Sequence, residues 1–210
     1  MAELGNILEK ATFLNQFENK RYAPIRETYL CFEANVDLAK PVWYSNQQGV
    51  HAETRFLENL TTLDDGRSYT VTCYLSWSPC ADCSEALVEF VRDNRNVNLR
   101  IFVSRLYYID EERNREGLRL LNDAGVHLEV MNYEHFEYCW ETFVDHKQSP
   151  FPSWDDIVEN YAYFQEELTN ILQENSLCAR DGVCVLIVRT SMVRRGYSDM
   201  QHFLPPMCTS

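Results

Sequence analysis

The sequence predicts an α/β fold in which strands of one sheet alternate with helices packed against it. Segments rich in β-forming residues alternate with segments of helical periodicity, in the order β-β-α-β-α-β-α-β-α-α after a first helix. The chain has 210 residues, 45% of them hydrophobic, which suits one packed domain. We find no repeat, low-complexity run or linker before residue 175. We therefore assign residues 1–175 to one domain and residues 176–210 to a C-terminal extension.

The first half of the chain begins with apolar side chains at helical spacing. Residues 6–17 predict an amphipathic helix, with Asn6 as a plausible N-cap. β-Formers, turn residues and a second helical pattern then follow. The predicted elements are strands at 28–32 and 42–44, a helix at 51–60, a turn at 64–66 and a central strand at 69–77.

The second half continues the alternation of helices and strands. Pro79 suits the first turn of a helix that runs through Val91, because its missing N–H costs little there. Gly125 is expected to end the helix predicted at residues 113–121. The further elements are a strand at 97–103, a helix at 113–121, a strand at 126–131 and helices at 134–144 and 154–172.

The extension differs in composition from the domain. It contains the longest apolar run, residues 183–188, which is too short to span a bilayer, and it later contains Pro205 and Pro206. A sixth strand, a partner-binding segment and a poorly ordered extension all fit this pattern, and we expect poor order.

The eight cysteines and the first residues of the chain indicate a reducing, intracellular compartment. The start of the chain lacks a basic region followed by a long apolar run, so we expect no signal peptide. The cysteines are then better interpreted as thiols or metal ligands than as disulfides. We expect a soluble intracellular protein without a membrane segment, in the cytoplasm and with a nuclear location left open.

The formal charge is −13 and is unevenly distributed. Residues 134–175 contain ten acidic residues and one lysine, a net charge of −9, whereas residues 92–119 contain seven arginines and five acids, a net charge of +2. The net negative charge of the chain argues against broad, salt-dependent electrostatic binding of nucleic acid. It leaves room for a local basic groove.

Two short motifs carry chemistry. Cys80 and Cys83 are separated by two residues, a spacing that brings two thiolates to one metal ion, and His51 can add a third ligand. Three protein ligands leave one position of a tetrahedral zinc ion open, as in catalytic sites. Glu53 lies two residues after His51 and can move protons. His51 begins one predicted helix and Pro79-Cys80 begins another, and the exposed N–H groups at such helix starts favour thiolates.

The alternative to a catalytic centre is a closed structural zinc site with a fourth ligand such as Cys73 or His127. Structural sites usually bring their ligands as two close pairs, which argues against this alternative. His-x-Glu followed by Pro-Cys-x-x-Cys is also the signature of zinc-dependent nucleobase deaminases.

These residues resemble the AID/APOBEC family of polynucleotide cytidine deaminases, and most of all its antiviral, retrovirus-restricting branch. The resemblance covers about residues 13–173. It is carried by His51-Ala52-Glu53, Ser76-Trp77-Ser78-Pro79-Cys80-x-x-Cys83, Arg26-Glu27-Thr28-Tyr29-Leu30-Cys31, Ser104-Arg105-Leu106-Tyr107-Tyr108 and the stretch from Cys139 to His146. It implies a cytidine deaminase-like three-layer fold, a five-stranded mixed sheet flanked by about six helices. It also implies conversion of cytosine to uracil in single-stranded DNA, directed at viral or retroelement DNA.

The resemblance also implies roles for single residues. His51, Cys80 and Cys83 match the zinc ligands and Glu53 the proton shuttle. The implied substrate contacts are Ala52 and Ser78 lining the cytosine pocket, Trp77 and Tyr107 enclosing the base, Thr28 and Asn46 holding the target nucleotide, and Arg26 touching flanking nucleotides.

Two further residues are expected beside the substrate on physical grounds. Aromatic faces stack exposed bases, and Arg105 can place charge next to Tyr107 and Tyr108. Tyr108 favours thymine as the base 5′ of the target. Structural alternatives stay open: Trp77 as a core residue, Tyr108 packed on the following helix, and Asn46 as a turn residue.

The acidic charge of residues 134–175 departs from family members that have basic C-terminal helices. We therefore expect at most weak RNA binding, and a monomer or weak dimer. The alternatives to a DNA deaminase are a catalytically silent, zinc-stabilised nucleic-acid-binding module and a free-nucleoside cytidine deaminase.

Overall fold

A computed structural model describes residues 7–22, 27–35, 42–60 and 67–181, with side chains as far as Glu174. Three predictions lie outside these ranges: the N-cap at Asn6, the turn at 64–66, and nearly all of the extension, since residues 182–210 are not described. Arg26 lies outside them as well.

The described elements follow the predicted alternation. The first are β1 (Leu8–Glu9), α1 (Lys10–Gln16), β2 (Tyr29–Ala34), β3 (Val42–Ser45), α2 (Ala52–Asn59), β4 (Tyr69–Leu75) and α3 (Ala81–Asp93). The remaining ones are β5 (Val97–Val103), α4 (Glu112–Asp123), β6 (His127–Val130), α5 (Tyr133–Phe143), β7 (Val144–Asp145) and α6 (Ile157–Asp181). Gly125, with a φ of 85°, follows α4 as predicted.

The central sheet has five strands in the order β3-β2-β4-β5-β6 and is mixed, as predicted. β2 runs antiparallel to β3 and β4, whereas β4, β5 and β6 are parallel. Leu75 pairs with Val103, so β4 and β5 end side by side. The loops that follow these two strands therefore meet at one edge of the sheet.

Helices cover both faces of this sheet and complete three layers. One face packs against α1 and α5 through a largely aromatic core that includes Phe13, Phe17, Phe136, Trp140 and Phe143. The other face carries an aliphatic core shared with α2, α3, α4 and α6.

Several element boundaries differ from the sequence predictions, most of them by one to four residues. The helix predicted at 6–17 begins only at Lys10, because Leu8 and Glu9 pair in parallel with Val144 and Asp145 in a second, two-stranded sheet. The helix expected to begin at Pro79 begins at Ala81, with Cys80 as its N-cap. The last helix begins three residues later than predicted and its backbone continues to Asp181, into the region assigned to the extension.

Within the described ranges, no helix has the length and apolar character needed to cross a bilayer.

Candidate functional site

His51 is held at the start of α2 by an asparagine outside the motif. His51 is the N-cap residue of the helix, with extended backbone angles. Its side chain does not cap the helix. Instead, Asn46 Oδ1 accepts a hydrogen bond from the Ala52 N–H at 2.9 Å, while the Asn46 N–H donates to the Thr28 carbonyl at 3.2 Å. These bonds tie the loop before α2 to the start of β2 and leave the imidazole free to turn toward the neighbouring helix.

Cys80 and Cys83 occupy the first turn of α3. Cys80 is the N-cap residue, and its carbonyl accepts the Ser84 N–H at 2.9 Å. Asn114 from α4 caps this helix in place of the thiol, because its Oδ1 accepts the Ala81 N–H at 3.1 Å. The first N–H of α3 is therefore satisfied without either thiol.

The three predicted ligand residues form one group. His51 Nδ1 lies 3.2 Å from Cys83 Sγ and 3.5 Å from Cys80 Sγ, and the three atoms lie within 4.8 Å of one another. One imidazole nitrogen and two sulfurs make a donor set that suits zinc, for which tetrahedral coordination by Cys and His is usual. The residues thus fit a metal ion at this position.

The two thiols hold their protons differently. The pKa of the Cys80 thiol is lowered to about 5, first by the hydrogen bond that the Cys83 side chain gives it, and also by the Cys83 backbone N–H and the nearby imidazole. The pKa of the Cys83 thiol is raised, first because it is the donor in that bond and then by burial. One thiolate is therefore already available to a metal at neutral pH.

Glu53 lies beside these ligands in the protein interior. Its side chain is 2% exposed, and its Oε2 atom has no hydrogen-bond partner among the described residues. Burial raises the pKa of this carboxyl to about 7, and the negative charge on Cys80 adds to the rise. A buried carboxylate oxygen without a partner is costly unless it faces a ligand that the protein binds.

The ligands proposed for a closed structural site are not part of this group. Among the described residues, only His51, Cys80 and Cys83 bring metal-binding atoms together. Cys73 is buried in β4, where burial raises its pKa. His127 lies at the edge strand β6 and pairs with Glu129 at 3.2 Å. The geometry therefore favours a three-residue site over the structural alternative.

The loop after β5 borders the site through Tyr107 and Tyr108. The Tyr107 N–H donates to Ser78 Oγ at 2.9 Å, which joins this loop to the one that carries the cysteines. The pKa of Tyr107 is raised, first by burial and then by the charge on Cys80, with smaller contributions that include the charge on Cys83. The rings of Tyr107 and Tyr108 meet edge to face, with centroids 4.6 Å apart.

Tyr108 is the more exposed of the two aromatic residues. Its side chain is 49% exposed, so it does not pack as a core residue on α4. Its φ of 38° is unusual for a residue with a side chain, and its carbonyl accepts hydrogen bonds from the Glu111 N–H and Asn114 Nδ2. The loop holds Tyr108 out from the surface.

Trp77 and Arg105 are both buried, and they contact each other. The Arg105 guanidinium lies 4.0 Å from the centroid of the Trp77 ring. The sequence suggests that Arg105 can place charge next to the stacking surface of the tyrosines, but only 3% of the residue is exposed. The charged guanidinium of Arg105 therefore lies in the protein interior. Trp77 is buried like a core residue, and it lies three residues before the metal ligand Cys80.

Thr28, Asn46, Ala52 and Ser78, predicted from the resemblance to touch substrate, all lie close to the ligand helices. Asn46 and Ser78 use their side chains to accept backbone hydrogen bonds, and Ala52 is fully buried at the start of α2. Sequence reasoning missed Asn114 and Gly117 on α4, which hold α3 in place. No local motif marks either residue.

Comparison with known proteins agrees with the site. A family model described as the APOBEC3 cytosine deaminase domain matches residues 6–172. Over 176 residues, the chain is 38% identical to a protein from Chlorocebus aethiops named DNA dC->dU-editing enzyme APOBEC-3G, an alignment covering 75% of this chain and 46% of that protein. The chain is also 36% identical over 189 residues to the protein of the same name from Papio anubis. That alignment covers 81% of this chain and 49% of the Papio anubis protein.

The chain spans about half the length of these two relatives. DNA dC->dU-editing enzyme APOBEC-3H from Macaca mulatta is 43% identical over 154 residues, which cover 69% of this chain and 73% of that protein. The family match takes in the sheet, the three ligand residues and Glu53, and it agrees with the resemblance seen in the motifs. The chain belongs to the APOBEC3 cytosine deaminase domain family.

Proposed function

We propose that this chain is a zinc-dependent deaminase that converts cytosine to uracil in single-stranded DNA. The observation that carries the proposal is the buried, unpartnered Glu53 Oε2 next to the group formed by His51, Cys80 and Cys83. Membership of the APOBEC3 family supports it, as do the names of the relatives, which describe editing of dC to dU in DNA.

His51, Cys80 and Cys83 would hold the zinc ion. When bound, zinc supplies the Lewis acidity that makes water a nucleophile near neutral pH. Glu53 does not complete the ligand set, which leaves its carboxylate free for proton transfer.

Glu53 moves the protons of the reaction. It accepts a proton from the attacking water, delivers a proton to the ring nitrogen N3 of cytosine, and assists the proton transfer to the departing ammonia. Water adds to the ring carbon that carries the exocyclic amine and the carbon–nitrogen bond to that amine breaks, so cytosine and water yield uracil and ammonia.

Aromatic residues around the site suit a base taken out of a single strand. Tyr107 is joined through Ser78 to the loop that carries the cysteines, and the exposed ring of Tyr108 offers a stacking surface for the neighbouring base. A paired cytosine would have to leave its duplex first, at a cost of a few kcal/mol.

A substrate panel tests the proposal. The purified chain, with its zinc content measured, is incubated with single-stranded DNA, double-stranded DNA, RNA and free cytidine. We expect uracil from single-stranded DNA, and in Glu53→Gln a loss of about 10²-fold or more with zinc retained. Glu58→Gln, an exposed position on the same helix, is the matched control.

Three outcomes would contradict the proposal. A zinc-loaded protein without product on any substrate would leave a silent binding module. Product from cytidine alone would indicate a nucleoside deaminase. Full activity in Glu53→Gln would remove Glu53 from the mechanism.

We extend the proposal to the mutation of viral or retroelement DNA in the cytoplasm, which the family membership supports. Co-expression with a reporter retrovirus should produce C-to-U changes in the reverse-transcribed strand, and Glu53→Gln should abolish them. An unchanged mutation frequency would contradict this role. Weak RNA binding, a monomer or weak dimer, and a nuclear location stay predictions.

A further inference from the structure

Arg105 is a buried cation whose charge is met mainly by backbone carbonyls and an aromatic ring. Among the described residues, no carboxylate forms an ion pair with it, although Glu18 lies near enough to favour its charged form. Burial lowers the pKa of its guanidinium to about 10, which still leaves it charged at neutral pH. Burying a charge in this way is costly, so the contacts that the charge makes call for an explanation.

The guanidinium contacts two successive residues before the metal ligands, and the backbone carbonyl of Arg105 bonds the third. Arg105 Nε donates to the Ser76 carbonyl at 3.1 Å, and the guanidinium covers the Trp77 ring. The Ser78 N–H donates to the Arg105 carbonyl at 2.8 Å. Arg105 thus fixes the loop that leads from β4 into Cys80.

The same residue reaches the N-terminal segment. Arg105 Nη2 donates to the carbonyl of Gln16 at the end of α1. The preceding residue, Ser104, donates from Oγ to the Phe17 carbonyl at 2.6 Å. Residues 8–17 are themselves anchored far from the site, because β1 pairs with β7 and Phe13 and Phe17 are fully buried.

We propose that Arg105 is a positioning residue that uses the anchored segment 8–17 to hold Trp77, Ser78 and Tyr107 in the geometry the reaction needs. The inference deepens the proposed function and rests on it for its kinetic consequence. Arg105 does not contact substrate in this account. It acts through the Trp77 ring and through the hydrogen bond between Ser78 and Tyr107.

Arg105→Met tests the proposal, because methionine keeps an unbranched apolar side chain and removes the donors and the charge. Arg100→Met is the matched control, since Arg100 lies over an aromatic ring in the same strand, 5.1 Å from the Phe102 centroid, but on the face away from the ligand helices. Each variant is assayed for zinc content, kcat, KM and amide hydrogen exchange.

In Arg105→Met we expect the backbone amides of Ser78 and Tyr107 to exchange hydrogen at least about tenfold faster than in the wild type. Both amides donate hydrogen bonds within the network that Arg105 supports. The Arg55 amide, which donates to the His51 carbonyl in α2, should keep its rate. We further expect kcat to fall by about 10- to 100-fold with zinc retained and KM within about twofold. Arg100→Met should show none of these changes.

Arg105→Lys and Ser104→Ala cover the case in which Arg105→Met does not fold. Lysine keeps the charge without the planar fork, so we expect it to restore folding but not kcat. Ser104→Ala removes only the bond to Phe17 and should speed exchange at Tyr107.

Unchanged exchange at Ser78 and Tyr107 in the folded variants would overturn the proposal, as would full kcat in Arg105→Lys. Uniformly faster exchange with a lower melting temperature would also overturn it, because it would show a purely structural role. The exchange measurement requires no substrate. It therefore decides the positioning role even if the wild-type chain deaminates nothing.

Discussion

Two asparagines outside the motifs cap the helices that carry the metal ligands. Asn46 accepts the first N–H of α2, and Asn114 accepts the first N–H of α3. Each satisfies the N–H that directly follows a ligand residue, since His51 and Cys80 are themselves the N-cap residues of the two helices. The ligands are therefore free to bind a metal because neighbouring residues satisfy the helix ends.

Removing one of these caps should weaken the metal site. We expect Asn46→Ala to lower the free energy of unfolding by about 1 kcal/mol, since loss of an N-cap interaction has that typical cost. Its zinc affinity, measured by competition with a chelator, should fall as well. Asn59→Ala at the other end of α2 is the control, because its amide bonds only the Arg55 carbonyl. Equal zinc affinity in both variants would contradict a role for Asn46 in placing His51.

His135 caps α5 only while it is neutral. Its Nδ1 accepts the Asn132 N–H at 3.2 Å, in a reciprocal capping box. Burial lowers the pKa of His135 below its usual value of 6.5, and Arg100 and His127 add to the decrease, while Glu129 and Glu134 oppose it. The unfolded chain therefore binds more protons here than the folded one, and stability rises with pH.

We predict that this contribution is fully present above pH 6.5 and is lost as the pH falls through the lowered pKa of the folded state. His135→Gln can keep the capping box, since glutamine is a usual residue at that position, but it does not titrate. In urea unfolding between about pH 7.5 and 5.5, the wild type should therefore lose more stability than the variant. Parallel curves would show that His135 does not contribute.

The motif residues could be predicted from sequence because their chemistry depends on short spacings. His51, Cys80 and Cys83 meet as expected. The burial of Arg105 could not be predicted in the same way, because it depends on carbonyls from Gln16 and Ser76 that are distant along the chain. An arginine beside two tyrosines gives the same local pattern whether it faces solvent or the interior.

Helices α3 and α4 approach most closely beside the cysteines. Gly117 on α4 faces Ser84 and Ala81, and a Cβ atom at Gly117 would lie 2.9 Å from Ser84 Oγ and 3.2 Å from the Ala81 Cα. Ala81 directly follows Cys80 and its N–H is capped by Asn114 from the same α4 helix. The missing side chain of Gly117 therefore sets the distance between the two helices at the metal site.

We expect Gly117→Ala to destabilise the protein by about 1–3 kcal/mol through overpacking, although alanine favours helices elsewhere. Zinc affinity should fall with stability, because the clash displaces the first turn of α3. Glu116→Ala, an exposed neighbour, is the control. Thermal unfolding of Gly117→Ala with and without Ser84→Ala checks the mechanism, since the Ser84 hydroxyl has no hydrogen-bond partner among the described residues. A stabilised Gly117→Ala would contradict it.

At the level of whole elements, strands with their own periodicity were predictable. β5 has the predicted boundaries, residues 97–103, because it is bounded by turns and nearly alternates. β1 could not be recognised, since it has two residues and exists only through its pairing with β7, more than 130 residues away. Leu8 fits a helical pattern equally well, and only the tertiary partner decides between the two.

The acidic charge of the whole molecule limits how it can hold a nucleic acid. Five of the described arginines are committed to other partners: Arg21 to Glu159, Arg113 to Asp82, Arg115 and Arg119 to Glu112 and Glu174, and Arg105 to the interior. The net charge of −13 also opposes a broad electrostatic attraction to phosphates. Stacking on aromatic side chains must therefore supply much of the affinity.

This balance predicts a shallow salt dependence of binding. For single-stranded DNA, each phosphate contact makes the slope of log K against log salt concentration more negative by about 0.7. Two or three contacts therefore give a slope of about −1.4 to −2.1. Fluorescence anisotropy with a single-target oligonucleotide, from about 50 to about 300 mM salt, measures the slope, and Glu53→Gln prevents turnover. Tyr108→Ala should lower affinity at every salt concentration by about 1–3 kcal/mol without changing the slope, because stacking releases no counterions.

A matched electrostatic variant separates the two contributions. Glu166→Gln with Glu167→Gln on α6 removes two negative charges without adding a cation. We expect it to raise affinity modestly at low salt and to leave the Tyr108→Ala loss unchanged. A slope steeper than about −4 would require six or more phosphate contacts. Binding would then depend mainly on a basic surface, and the inference that stacking supplies much of the affinity would be wrong.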